Sequence, residues 1–435
     1  MMANTYLTRT PSSTGNRRKF TFSFWIKKCA NGTSETIYNV RPSASGANRI
    51  SFHSSDTFRI ALEPINKYLF TNRKFTDNFA WYHIVVAVDT EQGTAADRVK
   101  LYVNGVQETS FGTATYPDQN TDLDINTQNV INIGRDLETS SNYFNGVLSH
   151  FNFIDGTAYD ATAFGSTDAT TGEWKINTSP SVTYGTNGFF ILKDGNSVTD
   201  QSGNSNNWTV ASGTLTKTED CPSNVFATLN PLVRHTGTVA NGNTRYGTSS
   251  SSWIGIPATL GNLTGKWYWE YKLTTGAEWS QCGIVSQAGY NGILTSYVGG
   301  ITNGVAMNTG GGDIYTAGGS AQAWFGSARS VGQIISVALD CDNNKIYWGT
   351  NGVWGNSSNP ATGSNGYSIP SALNTDKPYF PAFSVHNCTI DINFGNGYFG
   401  STQISSAGTN ASGIGIFEYD VPTGYSALST KGLNL

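Results

Sequence analysis

The sequence predicts an all-β chain folded as two β-sandwiches in tandem. Composition is the first reason. Thr, Ser, Asn and Gly are abundant, aromatics make up 12% of the chain and charged side chains only 13%, against roughly 25% in an average soluble domain. These residues are poor helix material and good strand or turn material. The second reason is alternation of apolar and polar residues at period two, the mark of a strand with one face buried. The third is Asn104-Gly105 between two such runs, since a two-residue hairpin turn needs positive φ at both central positions.

The strands follow in order. Residues 19–27 place Phe20, Phe22, Phe24 and Ile26 on one face and Thr21, Ser23, Trp25 and Lys27 on the other. Residues 37–40, 49–53 and 58–62 continue the pattern in shorter pieces. Residues 81–89 form a longer central strand, 98–103 and 106–111 a hairpin, and 130–134 and 143–154 close the first set. Residues 155–222 are poorer in apolar side chains and too long for a structureless loop. They are expected to complete the first sandwich around Phe189-Phe190-Ile191-Leu192 and to end as a connector near Cys221-Pro222. The pattern restarts at 265–270 and continues through 281–286, 334–340, 345–348, 379–384 and 389–394, with tight turns at Asp340–Asn344 and Asn351-Gly352. The expected domains are residues 1–210 with a basic N-terminal arm, a connector over 211–224, and residues 225–435 with a C-terminal extension.

Several segments resemble known families. Trp81-Tyr82-His83 running into Val85, Val86 and Val88, then Leu101-Tyr102-Val103-Asn104-Gly105, resembles adjacent strands of the laminin-G-like, concanavalin-A-like jelly roll. Gly146-x-Leu148-x-x-Phe151 is similar to the strand that follows there, so the resemblance spans about residues 5–155. Gly265-Lys266-Trp267-Tyr268-Trp269-Glu270, the 335–352 stretch around Asp340 and Asn351-Gly352, and Tyr379-Phe380-Pro381-Ala382 resemble the SPRY domain over about 225–400. That implies a bent sandwich that binds partners through loops at one end. The opening 5–27, the middle 153–175, the stretch 202–232 and the tail 419–430 resemble segments found together in structural, tail-fibre-like proteins of marine tailed bacteriophages.

Chemistry is sparse. A glycosidase needs two carboxylates flanking the scissile bond. The E-x-D-x-x-E spacing of concanavalin-A-like glucanases is missing: Asp122 and Asp124 have no third partner, and Asp391 is alone in its strand. No G-x-S-x-G and no H-E-x-x-H occurs, and His83 reads as a strand residue with a satisfied ring. The five Cys lie at least 47 residues apart (Cys341 to Cys388), which suits buried thiols and no zinc site. No cofactor and no catalytic residue is expected. A rim calcium held by Asp118, Asp122, Asp124 or Asp136 is the one metal the laminin-G resemblance leaves room for.

The remaining candidates are aromatic. Trp279, Tyr290, Trp324 and Trp354 fall in Gly/Ser-rich stretches, where a large rigid ring among small polar residues makes a binding anchor. Arg9, Arg17, Arg18 and Lys19 mark residues 1–18 and the first strand residue as a basic arm for attachment to a particle. The net charge is −4 with no basic stripe, which argues against a nucleic-acid partner. No apolar run reaches the ~18 residues of a membrane span, and the start carries no secretory pattern. The expected function is a non-enzymatic virion surface protein, a capsid knob or decoration or a tail-fibre component, assembled in the cytoplasm of a host bacterium. Its expected partners are other virion proteins and a host-surface glycan or protein receptor, with room for homo-oligomers. The alternatives are a receptor-binding lectin using the rim-loop aromatics and, behind it, a polysaccharide depolymerase.

Overall fold

The structure, a computed structural model, describes residues 4–43, 46–193, 197–276, 279–294 and 296–434. The chain is all-β and divides into two compact units, Met1–Thr216 and Lys217–Leu435, each a sandwich of two mainly antiparallel sheets.

In the first unit, one sheet has six strands in the order Phe189–Ile191, Gly146–Asp155, Lys19–Lys28, Tyr82–Asp89, Val99–Val103 and Val106–Glu108. The facing sheet has eight, in the order Phe111–Ala114, Lys67–Lys74, Thr57–Leu62, Gly46–Phe52, Glu35–Ser43, Ile131–Ile133, Tyr6–Arg9 and Thr209–Ser212. Phe20, Phe22, Phe24 and Ile26 enter the core between them, against Tyr38, Ile50, Phe52, Phe58 and Ile60. The expected half-buried strand is buried on both faces: Thr21, Ser23 and Lys27 are as enclosed as the Phe row. The reason is the low-apolar stretch after Asp155, which folds back over the outer face. Its short Gly165–Thr167 and Trp174–Ile176 strands pair with each other. Phe164 and Trp174 pack with Val85 and Ile154.

The same cover seals His83. Its ring is stacked between Trp25 (5.0 Å, 20°) and Trp174 (5.9 Å, 18°). Trp174 Nε1 donates to Nδ1 at 3.0 Å, and Nε2 lies 3.0 Å from Ser23 Oγ. An indole N–H can only donate, so Nδ1 is the acceptor and Nε2 carries the proton. Burial pulls the His83 pKa down to about 3. In the facing sheet, Glu35 at the start of Glu35–Ser43 is also buried, and the nearby cation Lys28 is paired with Asp56 at 2.9 Å. Burial therefore pushes the Glu35 carboxyl up to about 8.

The basic arm is corrected. Residues 1–3 lie outside the described ones, but from Tyr6 onward the segment is built into the sandwich. Tyr6–Arg9 pairs with Ile131–Ile133 on one side and Thr209–Ser212 on the other. Arg9 is 9% exposed and bonds Asn206 and the Asn187 carbonyl. Arg17 meets Asp124 at 2.9 Å, Arg18 meets Asp122 at 2.6 Å and Lys19 meets Glu91 at 2.8 Å. Each cation has found an internal acceptor: amide and backbone oxygens for Arg9, and carboxylates of the 89–124 region for Arg17, Arg18 and Lys19.

In the second unit, the first sheet runs Thr238–Ala240, Arg245–Gly247, Cys388–Asn393, Lys266–Gly276, Ile334–Asp340, Lys345–Thr350 and Val353–Trp354. Tyr367–Ser368 and Ser426–Ala427 pair off that path. The second sheet runs Ile254–Pro257, Phe380–Val385, Ser280–Val285, Gly304–Asn308, Asp313–Thr316 and Gly319–Ala323. Trp267, Trp269, Tyr271 and Leu273 point into the core. Tyr268 and Glu270 point outward and are nevertheless fully buried, because the C-terminal extension lies across them: Phe417, Val421 and Tyr425 pack with Tyr268. Residues 211–224, expected as a connector, are divided between the units. Ser212 pairs with Tyr6 in the first, and in the second Lys217 N bonds the Tyr398 hydroxyl and Glu219 N the Asn396 carbonyl.

His83 and Glu35 pull the stability of the first unit in opposite directions. Below pH 6.5 the unfolded chain binds a proton that folded His83 refuses until about pH 3, so stability falls as pH drops through that window. Above pH 4.5 unfolded Glu35 releases a proton that the folded carboxyl keeps until about pH 8, so stability falls as pH rises through that window. Between 4.5 and 6.5 the two slopes, each about 1.4 kcal/mol per pH unit, cancel. Urea denaturation of Glu35→Gln should therefore uncover a rising slope of that size in a range where the wild type is flat. Parallel profiles for the two proteins would show that Glu35 titrates normally.

Candidate functional site

Three neighbouring strands of the second unit end in aromatic rings. Trp253 precedes Ile254–Pro257, His386 follows Phe380–Val385, and Trp279 precedes Ser280–Val285. Val385 pairs with Ile254 on one side and Ser280 on the other. Antiparallel register therefore brings residues 253, 386 and 279 to the same end of the sheet. The rings touch in series: Trp279 to His386 at 5.1 Å, His386 to Trp253 at 5.5 Å, and Trp253 to Tyr297 at 5.2 Å. The interplanar angles of 43°, 49° and 38° give tilted contacts.

The backbone fixes this strip. The Trp279 carbonyl accepts from His386 N at 3.1 Å and from Cys388 Sγ at 3.3 Å. Gly310 lies against the indole, where an added Cβ would fall 2.8 Å from Trp279 Cδ1. Trp279 remains 50% exposed, and among the described residues the other large hydrophobics as open are aliphatic ones such as Val353 and Leu232. Among the described residues, the indole N–H groups of Trp253 and Trp279 and the Tyr297 hydroxyl make no hydrogen bond, and His386 Nδ1 is buried without a partner. The strip thus offers ring faces with unused polar tips, which suits stacking against a sugar ring and bonding its hydroxyls.

The other three candidate aromatics sit elsewhere. Trp324 is 3% exposed. Its Nε1 donates to the Trp348 carbonyl at 2.8 Å, and its ring meets Trp348 edge-on at 5.5 Å. The expectation of an exposed loop ring is corrected: Trp324 plugs the core, which Gly355 allows by carrying no side chain beneath the indole. Tyr290 is half-buried against Phe380 at 4.4 Å, and its hydroxyl accepts from Asn230 and donates to the Ala258 carbonyl. Trp354 is partly exposed and lines a cleft on the outer face of the other sheet.

Residues 2–162 match the family model of the concanavalin A-like lectin/glucanases superfamily. The match covers less than half of the chain. Part of the chain is similar to the SPRY domain of human HERC1 (14% identity, 38% of this chain, 96% of that one, TM-score 0.30). It is likewise similar to another human SPRY domain (16%, 34%, 90%, TM-score 0.27) and to the PSpry domain of TRIM65 (12%, 38%, 88%, TM-score 0.29). No curated protein sequence matches the chain.

The carboxylates considered for catalysis or calcium are engaged with cations. Asp118 faces Lys67, Asp122 Arg18, Asp124 Arg17 and Asp136 Arg49. Asp391 is held by both Arg245 Nε and an Arg245 terminal nitrogen at 2.6 Å. No group of three His, Cys, Asp or Glu among the described residues could hold a metal ion.

The contrast between Trp324 and Trp279 is measurable. Trp324→Ala should cost about 3–5 kcal/mol in urea denaturation, as expected for a truncated core Trp. Trp279→Ala should cost less than about 1 kcal/mol, as surface changes do. Equal losses would mean that the strip is a core feature and not a surface.

Proposed function

We propose that this chain is a non-enzymatic display and adhesion protein of a bacteriophage particle, and that its second sandwich contacts a host-surface glycan through Trp253, His386, Trp279 and Tyr297. The observation that carries the adhesion reading is the register that gathers three strand-end rings into one strip, with Trp279 exposed and Trp253 and His386 half-buried beside it. A cluster of partly open aromatic rings whose polar tips make no bond within the chain suits a binding surface, since the rings can stack on a ligand and the tips can bond it. The non-catalytic part is supported by the engagement of Asp122, Asp124 and Asp391 with arginines. A carboxylate neutralised by a guanidinium is a poor general acid and is not free to attack a sugar. The virion context rests on the resemblance of the four sequence segments to tail-fibre-like phage proteins.

Binding to host cells and to a glycan array is the direct test. Trp279→Ala and Trp253→Ala should each weaken binding about 30-fold, equivalent to the ~2 kcal/mol of a central aromatic anchor. Unchanged binding by both variants would exclude the strip, and release of reducing sugar from host envelope glycans would replace the adhesin with a depolymerase. Because the strip is uncharged, binding should survive ~0.5 M salt, where the Debye length falls to roughly 4 Å. Dissociation at that salt would show that charge carries the contact.

A further inference from the structure

The outer face of the other sheet of the second unit carries a second, chemically different site. Where the C-terminal extension crosses the strands Ile334–Asp340 and Val353–Trp354, it leaves a cleft of about 370 Å³. Trp354, Tyr419, Ser336, Glu418 and Asp420 line it, and among the described residues no Lys, Arg or His does. The opening depends on Gly352, where an added Cβ would fall 2.8 Å from Tyr419 Cδ1. Asp420 takes the Thr409 N–H at 2.6 Å and the Thr409 hydroxyl at 2.8 Å, both on Oδ1. These bonds hold its carboxyl below the usual range, so it is ionised at neutral pH. Two aromatic rings and two carboxylates without a cation among the lining residues form a receptor for positive charge.

The floor of the cleft adds a polarity. Ser336 is 2% exposed, and its Oγ lies 2.9 Å from the Tyr268 hydroxyl, which in turn lies 2.9 Å from Glu270 Oε1. Glu270 also accepts from the backbone N–H groups of Tyr419 and Glu418 at 2.9 Å and from Asn393 Nδ2 at 3.3 Å. Tyr268 has a single proton. When Glu270 is ionised, that proton goes to the carboxylate, Ser336 must give its own proton to Tyr268, and the serine turns lone pairs toward the cleft. When Glu270 is protonated, Tyr268 is the one contact able to accept from it. Tyr268 then donates to Ser336, and the serine proton is released.

We propose that this cleft binds an organic ammonium group against Trp354, Tyr419, Glu418 and Asp420, and that the Glu270–Tyr268 chain sets Ser336 as a hydrogen-bond acceptor for its N–H. The site is separate from the aromatic strip and does not rest on the adhesion reading. Burial pushes the Glu270 carboxyl up to about 7. The charged groups around it are Lys272 on its own strand, Asp391 with its partner Arg245 on the adjacent strand, and Glu418 and Asp420 on the extension. The Tyr268 phenol is held well above its ordinary range and stays neutral. Ammonium binding therefore strengthens as pH rises through 7.

The test is calorimetric titration of the full chain with three ammonium probes, with glucose as the neutral control. Glucosamine represents an amino sugar, Nα-acetyl-lysine amide a peptide lysine, and choline a quaternary head group. Glucosamine or the lysine derivative should bind at least tenfold more tightly than glucose, and whichever binds names the source. Asp420→Asn and Trp354→Ala should each weaken that probe about tenfold. With affinities expressed per ammonium form of the probe, since a free amino sugar loses much of its proton by pH 8, Ser336→Ala should weaken binding about tenfold at pH 8 and have little effect at pH 6, as befits one charge-assisted hydrogen bond. Binding of no probe, or glucose binding as well as glucosamine, overturns the ammonium site. Binding of choline alone overturns the role of Ser336, since a quaternary nitrogen has no proton to donate. An equal Ser336→Ala effect at both pH values overturns the Glu270–Tyr268 coupling.

Discussion

Both units obey one constraint: the outward faces of their central strands carry polar groups that are out of contact with water and must find partners within the chain. In a chain with few charges those partners are mostly hydroxyls, amides and backbone groups. Thr21 donates to the Thr157 carbonyl and accepts from Tyr159 N, so the residues after Asp155 are tied to the strand they cover. Glu270 plays the same part in the second unit, gripping the backbone at Glu418 and Tyr419. A buried polar atom without a partner costs a few kcal/mol. Each cover is therefore needed by the sheet beneath it, and the covers in turn shape what the surface can bind.

The covers also explain which parts of the fold were legible in the sequence. Period two in 19–27 places Phe20, Phe22, Phe24 and Ile26 on one face, and the structure places them there. The pattern is silent about the opposite face, because Thr, Ser and Trp are equally at home under a cover or in water. Tyr6–Arg9 and Lys67–Lys74 were missed as strands, since arginines, lysines and asparagines in them hide the alternation. Arg9 looks like an exposed cation in sequence. Only the packing reveals Asn187 and Asn206 around it.

The aromatic strip was legible only in part. Trp279 stands out because its neighbours are small and polar. Trp253 follows Ser249–Ser252 and carries the same signal, which was missed. Tyr297 and His386 join it only through strands that are neighbours in space and far apart in the chain. Trp324 shows the converse failure. Small residues around a tryptophan mark an exposed loop and also mark the room a core ring needs, and Gly355 provides that room here. The cleft at Trp354 was legible in one of its two aromatic walls. Tyr419 lies 65 positions further on and reaches Trp354 through the grip of Glu270 on the extension.

Charge is used inward in this protein, and that gives its surface a distinct character. Arg17, Arg18, Arg49 and Arg245 each meet carboxylates of their own unit. Recognition is then left to rings and uncharged polar tips, whose attraction does not decay with ionic strength as that of exposed ions does. Glu418 and Asp420 depart from this economy, since no cation shares their cleft. Two carboxylates repel each other and gain from a bound cation. In a chain that pairs many of its charges internally, a cleft that keeps two of one sign beside two rings is where an incoming cation has the most to offset.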